Sequence, residues 1–259
     1  DIWPQDAIEA EMQRDPEFAS CNLLNDPANA AIRTLDDAWL RYWKWTDDQR
    51  VLVYDDDTGK KAYVSAASLF KVMAVDPAAS SGVTGARNAI VVLGTDQETG
   101  KHFVLDAIGV HSDPRDLVED IVNLAQRWGL HTVHIELAGQ QLYVMQWTEQ
   151  LARERGYPLH IEPLKPGGKN KDLRIGGLVV PFKNGQVFVH ASQTALIADE
   201  YRHYRPGAQK RDVLDALAYA MEASPKPAAA GQVSARQRSR QQLESYYARL
   251  RGQPAPAAL

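Results

Sequence analysis

The pattern of hydrophobic and polar positions changes character near residue 69. Ahead of that point, residues 1–33 read as short helical pieces broken at Asp15-Pro16 and Asp26-Pro27, because the residue before a proline is pushed out of the helical region. Thr34 is a suitable N-cap for a helix over residues 35–44, with Asp36 and Asp37 at its positive end and Trp39 and Trp43 four apart on one face. Residues 51–54 and 61–64 are β-type runs that flank Asp55-Asp56-Asp57-Thr58-Gly59-Lys60, the pattern of a hairpin. The three aspartates belong to a solvated turn, since consecutive side chains there diverge.

Beyond residue 69 strand and helix signals recur. Residues 70–75 form an apolar run ending at Asp76-Pro77, and residues 89–93 and 102–110 are further β-type runs. Pro114 opens a helix to Trp128, in which Leu117, Ile121, Leu124, Ala125 and Trp128 recur at three- and four-residue spacing, and Gly129 ends it. A buried-type strand over residues 132–137, a helix over 140–155 and a strand over 159–164 follow. Three strands and then helix, strand, helix, strand describe a mixed sheet with helices on its faces, an α/β fold. Residues 169–174 are a basic stretch compatible with loop or helix. Residues 178–182 and 186–190 flank Lys183-Asn184-Gly185 and predict a β-hairpin, for which Asn-Gly is a strong signal. Ser192 caps a helix to Tyr204, and residues 211–220 form the last helix of the globular part. The expected division is an N-terminal linker or accessory segment over 1–67, a globular domain over 68–224, and a flexible tail over 225–259 with one helix between 234 and 250.

The chain has 259 residues, 44% of them hydrophobic, and a single cysteine, Cys21. Wholly disordered and disulfide-stapled classes are thereby excluded, and any metal must be held by oxygen or imidazole. No apolar run reaches the roughly 20 residues that span a bilayer, and the first residues lack a signal-peptide pattern. The expected setting is reducing and cytosolic, without a membrane. The overall charge of −4 argues on its face against nucleic acid. Its distribution argues otherwise: residues 1–60 carry 14 acidic and 6 basic side chains, residues 61–160 carry 11 and 8, and residues 161–259 carry 8 and 15. The basic C-terminal third suits a polyanion.

Four acidic residues from three segments stand where an α/β sheet places groups for chemistry. Asp76 closes one apolar strand, Glu136 closes another, and Asp212 and Asp215 share one face of an apolar helix. Buried carboxylates need positive company, and two hard divalent ions, Mg²⁺ or Mn²⁺, both supply it and promote phosphodiester hydrolysis.

The segments Val75-Asp76-Pro77-Ala78, His134-Ile135-Glu136 and Asp212-Val213-Leu214-Asp215-Ala216-Leu217-Ala218 resemble the three acidic motifs of the RNase H-like nuclease superfamily. They are similar in particular to those of the nuclease domain of the terminase large subunit, the packaging motor of tailed double-stranded DNA bacteriophages. The resemblance implies an RNase H-like mixed five-stranded sheet with flanking helices and a β-hairpin insertion before the last helix. It implies a nuclease domain over residues 68–224 that acts as a two-metal-ion endonuclease on concatemeric double-stranded phage DNA. Asp76 would bridge two Mg²⁺ or Mn²⁺ ions, Glu136 would hold one, and Asp212 or Asp215 the other. Lys169, Lys171, Arg174 and Lys183 would contact DNA phosphates. The implied partners are a terminase ATPase domain, a portal and a small terminase subunit, in the cytoplasm of an infected bacterial host. Residues 18–27 resemble the stretch by which such proteins leave their ATPase domain. The chain departs from that family in two respects: Thr58-Gly59-Lys60-Lys61 lacks the leading glycine and the hydroxyl residue of an ATP-binding loop, and Arg211 stands where many relatives have an aspartate. Two other readings remain open at this level: a RuvC-type junction resolvase, whose last motif has the same form, and a non-catalytic docking module with an acidic front and a basic rear.

Overall fold

The computed structural model describes residues 4–14, 35–78, 87–136, 142–164, 170–190, 192, 194–208 and 211–225. The elements in chain order are α1 (Gln5–Arg14), β1 (Arg41–Trp45), β2 (Val51–Asp55), β3 (Lys61–Ser65), β4 (Phe70–Asp76), β5 (Asn88–Thr95), β6 (His102–Val110), α2 (Pro114–Trp128), β7 (Thr132–Glu136), α3 (Leu142–Glu154), β8 (His160–Leu164), α4 (Lys171–Gly176), α5 (Val179–Lys183), β9 (Val187–His190), α6 (Thr194–His203) and α7 (Asp212–Ala223). The 18–27 stretch, Lys169 and the C-terminal helix expected over 234–250 lie outside the described residues.

Among the described residues nine strands form one mixed sheet, in the order β3-β2-β1-β9-β6-β5-β4-β7-β8. The expected five-stranded sheet is therefore too small. The β2–β3 hairpin and β1, all before residue 68, join it through β9, which pairs in parallel with both β1 and β6. Two cores flank the sheet. Val75, Ile90, Phe103 and Ile135 meet α2 on one face, whereas Ala74, Val91, Val104 and Val189 meet the later helices on the other. The period-two alternation of each strand decides which residues enter which core.

The helix over residues 114–128 has the expected bounds because its signals are local. Asp113 caps it by accepting from the Arg115 and Asp116 amides, Pro114 sits in its first turn, and Gly129 ends it at φ 65°. Two expectations fail. Residues 35–44 form a short 3-10 turn, Asp37–Trp39, and then strand β1. The four-residue spacing of Trp39 and Trp43 was incidental: Trp43 is buried by strand alternation and its indole N–H donates to the Val104 carbonyl at 3.0 Å. The β-hairpin before the last helix is likewise absent, because residues 179–183 are helical. Asn184-Gly185 closes that helix instead, with Gly185 at φ 64°, its N–H donating to Phe182 O and the Gln186 N–H to Pro181 O, both at 2.9 Å. This pair of bonds is a Schellman cap, which uses the same left-handed glycine that a hairpin turn needs. The freed strand, β9, inserts into the sheet rather than folding back.

Helix α7 packs on β4, β5 and β6. Gly109 of β6 permits this approach: a Cβ there would stand 2.6 Å from Val213 Cγ2, the stiff side chain that follows Asp212. Gly109→Ala should lift the first turn of α7 and destabilise the protein by about 1–3 kcal/mol. Urea unfolding measures this, and an unchanged midpoint would contradict the packing described.

Candidate active site

β4 and β7 are parallel neighbours in which Val75 stands level with Ile135. The next residues, Asp76 and Glu136, therefore lie side by side at the strand ends. Since Val75 and Ile135 point into the first core, Asp76 and Glu136 turn to the face that α7 covers. From above, α7 presents Asp212, Asp215 and Tyr219, spaced i, i+3 and i+7 along one helix face. One oxygen each from Asp76, Glu136 and Asp215 lies within 4.8 Å of the other two. The acids are enclosed: Asp76 is 8% exposed, Glu136 9%, Asp212 4% and Asp215 0%.

Burial on this scale is costly for ionised carboxylates unless cations and hydrogen bonds compensate. Helix α4 supplies both cations. Lys171 Nζ donates to Asp76 Oδ2 at 2.9 Å and to Asp212 Oδ1 at 2.8 Å, and lies 3.5 Å from Asp215 Oδ2. Arg174 forks onto Asp215, with Nε to Oδ1 and Nη2 to Oδ2 both at 2.7 Å. Its Nη2 is 3.9 Å from Glu136 Oε1, and its guanidinium lies 4.1 Å from the Tyr219 ring centre. The Tyr219 hydroxyl donates to Glu136 Oε1 at 2.8 Å. Asn170 caps α4 by accepting from the Leu173 amide at 2.8 Å. Asp172 ties α4 to the approach of α7 through an ion pair with Arg211 and a 3.1 Å bond from the Gly207 amide.

These surroundings displace the proton equilibria. Burial raises Asp76 well above the usual carboxylate range, opposed by Lys171 and reinforced by Glu136. Burial also raises Asp215, against the pull of Arg174 and Lys171. Desolvation alone would lower Lys171, but the charges and hydrogen bonds of Asp76 and Asp212 outweigh it and hold the ammonium protonated. Tyr219 is raised by burial and then by its bond to Glu136, so it stays a donor. Asp76, Glu136, Asp212, Asp215 and Glu200 against Lys171, Arg174 and Arg87, whose Nε lies 3.9 Å from Asp212 Oδ2, leave a formal charge of −2, and the converging donors are all oxygen. Oxygen ligands of one Mg²⁺ or Mn²⁺ ion, each about 2.0–2.2 Å from it, fall within the observed mutual spacing, so these residues fit a hard divalent cation.

Of the residues singled out in the sequence, Asp76, Glu136 and Asp215 converge. Asp212 adjoins them through the Lys171 bridge, and its Oδ2 accepts from the Arg87 backbone N–H at 3.0 Å. Lys171 and Arg174 were expected on DNA phosphates, yet their side chains lie among the acids, Arg174 at only 6% exposure. Lys183 is exposed at the end of α5. Three participants went unread in the sequence. Tyr219 was legible, because it lies one turn beyond Asp215 on the same face. Arg87 and Glu200 carried no local signal, for each joins the site only through the tertiary packing of α6 and α7.

No protein-family model matches the sequence, and no curated protein matches it. Solved structures do: the chain is similar to the bacteriophage P22 large terminase nuclease domain, at 16% identity over 60% of this chain and 82% of that chain with a TM-score of 0.45. It is similar to the human cytomegalovirus terminase nuclease domain, at 11% identity over 60% of this chain and 83% of that chain with a TM-score of 0.44. It is also similar to the nuclease domain of the bacteriophage SPP1 large terminase, determined with bound Mn, at 15% identity over 59% of this chain and 85% of that chain with a TM-score of 0.40. Among the described residues the fold is a nine-stranded mixed α/β sheet with flanking helices, and the chemistry of the site rests on its side-chain geometry.

Proposed function

We propose that this chain is a divalent-metal-dependent DNA endonuclease. The observation that carries the reading is the buried convergence of Asp76, Glu136 and Asp215, three carboxylate oxygens within 4.8 Å of one another. Asp76, Glu136 and Asp215 would hold one Mg²⁺ or Mn²⁺ ion, and a second would be shared by Asp76 and Asp212, whose near oxygens Lys171 bridges. A cation held there supplies Lewis acidity toward a phosphodiester. Tyr219 and Arg174 fix Glu136 and Asp215 in direction, and β4, β7 and α7 hold the acids on rigid elements, which limits reorganisation during the reaction. With that negative charge neutralised, Lys171 would be free to meet a phosphate.

The finer reading is cleavage of concatemeric double-stranded phage DNA during packaging, alongside a terminase ATPase domain, a portal and a small terminase subunit. The resemblance of the three acidic motifs supports it. The division into an accessory segment over 1–67, a nuclease domain over 68–224 and a tail over 225–259 belongs to the same proposal. Among the described residues no helix is long and apolar enough to cross a membrane.

Plasmid nicking tests the chemistry. Cleavage should require Mg²⁺ or Mn²⁺ and stop with chelator. Changes to the partners of metal ligands typically cost about 10–100-fold, so Asp76→Asn and Glu136→Gln should each lower the rate by more than about 100-fold. Metal-dependent cutting that survives both substitutions would refute the site. A marked preference for four-way junctions over linear duplex would instead favour the resolvase reading, and DNA binding without cleavage under either metal the docking reading.

The pH dependence of the metal-free protein provides a second test. Asp76 and Asp215 are raised by burial, and Glu200 is pushed up to about 7, chiefly by burial. A carboxyl raised on folding contributes stability that is full below its unfolded value and lost as pH rises through its folded value. His102, lowered to about 4 by burial, acts in the opposite sense but only below about 6.5. In chelator the melting temperature should therefore fall between pH 6.5 and pH 8, and Mg²⁺ or Mn²⁺ should raise it more at pH 8. A melting temperature that climbs across this window without metal would contradict the burial described.

A further inference from the structure

Helix α7 carries Asp212 and Asp215 in its first turn, yet begins without a cap of its own. Arg211 stands at the N-cap position and makes no side-chain hydrogen bond to the helix. The first amides of an α-helix have no partner within it, and the usual remedy is a Ser, Thr, Asp or Asn at that position. Here the partner comes from another helix. Glu200 of α6, only 1% exposed, accepts from the Leu214 amide at 3.0 Å and also from the Val213 amide. Its other oxygen pairs with the Arg87 guanidinium, and the Arg87 backbone N–H donates to Asp212 Oδ2 at 3.0 Å. Glu200 thus holds the helix backbone just after Asp212 and, through Arg87, the side chain of Asp212 itself. It is not among the three converging carboxylates that fit a cation.

We propose that Glu200 is the positioning residue of the acidic site. It caps α7 from α6 and, with Arg87, fixes the rotation and axial position of the turn from which Asp212 and Asp215 project. The claim rests on the metal-binding reading above. A helix whose first turn frays or rotates would carry Asp215 away from Asp76 and Glu136, which are anchored independently on the sheet. The cost should therefore fall on cation affinity and not on stability alone.

The test is Mn²⁺ affinity of the full chain, measured by electron paramagnetic resonance of free Mn²⁺ at a temperature where circular dichroism shows each variant folded. Glu200→Ala should weaken binding by about 10–100-fold, the range typical for residues that orient metal ligands. Glu200→Gln keeps an oxygen for the amides but loses the charge that pairs with Arg87, so it should lie between wild type and Glu200→Ala, and it serves in place of the alanine variant if that fails to fold. Val118→Ala, in the core on the opposite face of the sheet, is the control for destabilisation alone and should bind Mn²⁺ as wild type does. Wild-type affinity in both Glu200 variants, or an equal loss in Val118→Ala, would overturn the positioning role and leave the metal site standing. Failure of the wild type to bind Mn²⁺ would overturn the metal reading and this proposal together.

Discussion

The structure around the site depends on one electrostatic constraint: four carboxylates are enclosed between a sheet and a helix, and they cannot all be ionised there without cations. In the protein alone, Lys171 and Arg174 meet that need in part, with Arg87 beside Asp212. Each also accounts for a piece of architecture. Helix α4 must lie across the strand ends to deliver both side chains, and its cap Asn170 and its link from Asp172 to Arg211 hold it there. Removing either cation would leave an uncompensated buried carboxylate, a change far more damaging than losing an exposed ion pair.

The same constraint explains why an acidic cluster can coexist with a well-packed fold. Asp76 and Glu136 occupy the last positions of their strands, so only the ends of the sheet bear the charge, and the residues one step earlier, Val75 and Ile135, are fully buried and apolar. Along α7 the acids occupy the first turn, where the helix dipole favours negative charge. The remainder of that helix is buried among apolar neighbours, with Gly109 beneath it. At the site the buried carboxylates are thus gathered at the strand ends and the start of α7, where their donors converge.

The sequence was most informative where signals are local. The strand ending in Asp76, the strand ending in Glu136 and the capped helix from Pro114 to Trp128 were legible because periodicity, proline and glycine all agreed. It misled where one local signal serves two structures. Asn184-Gly185 suits a hairpin and a helix cap equally, and only the position of β9 within the sheet decides between them. Trp39 and Trp43 share a helical spacing, but pairing of β1 with β2 and β9 overrides it. Among the site residues, the acids were recognisable by type and placement. The ion pairs of Lys171 and Arg174 were not, because the acids they join come from distant segments that only the tertiary fold brings together.

The central claim is that Asp76, Glu136 and Asp215 form a divalent cation site whose charge Lys171 and Arg174 only partly balance. Anomalous diffraction from crystals of the full chain grown with Mn²⁺ tests it most directly. An anomalous peak is expected there, with an oxygen of each of the three carboxylates about 2.0–2.4 Å away and Lys171 withdrawn from Asp76. Crystals saturated with Mn²⁺ that show no peak there, with Lys171 still bridging Asp76 and Asp212, would contradict it.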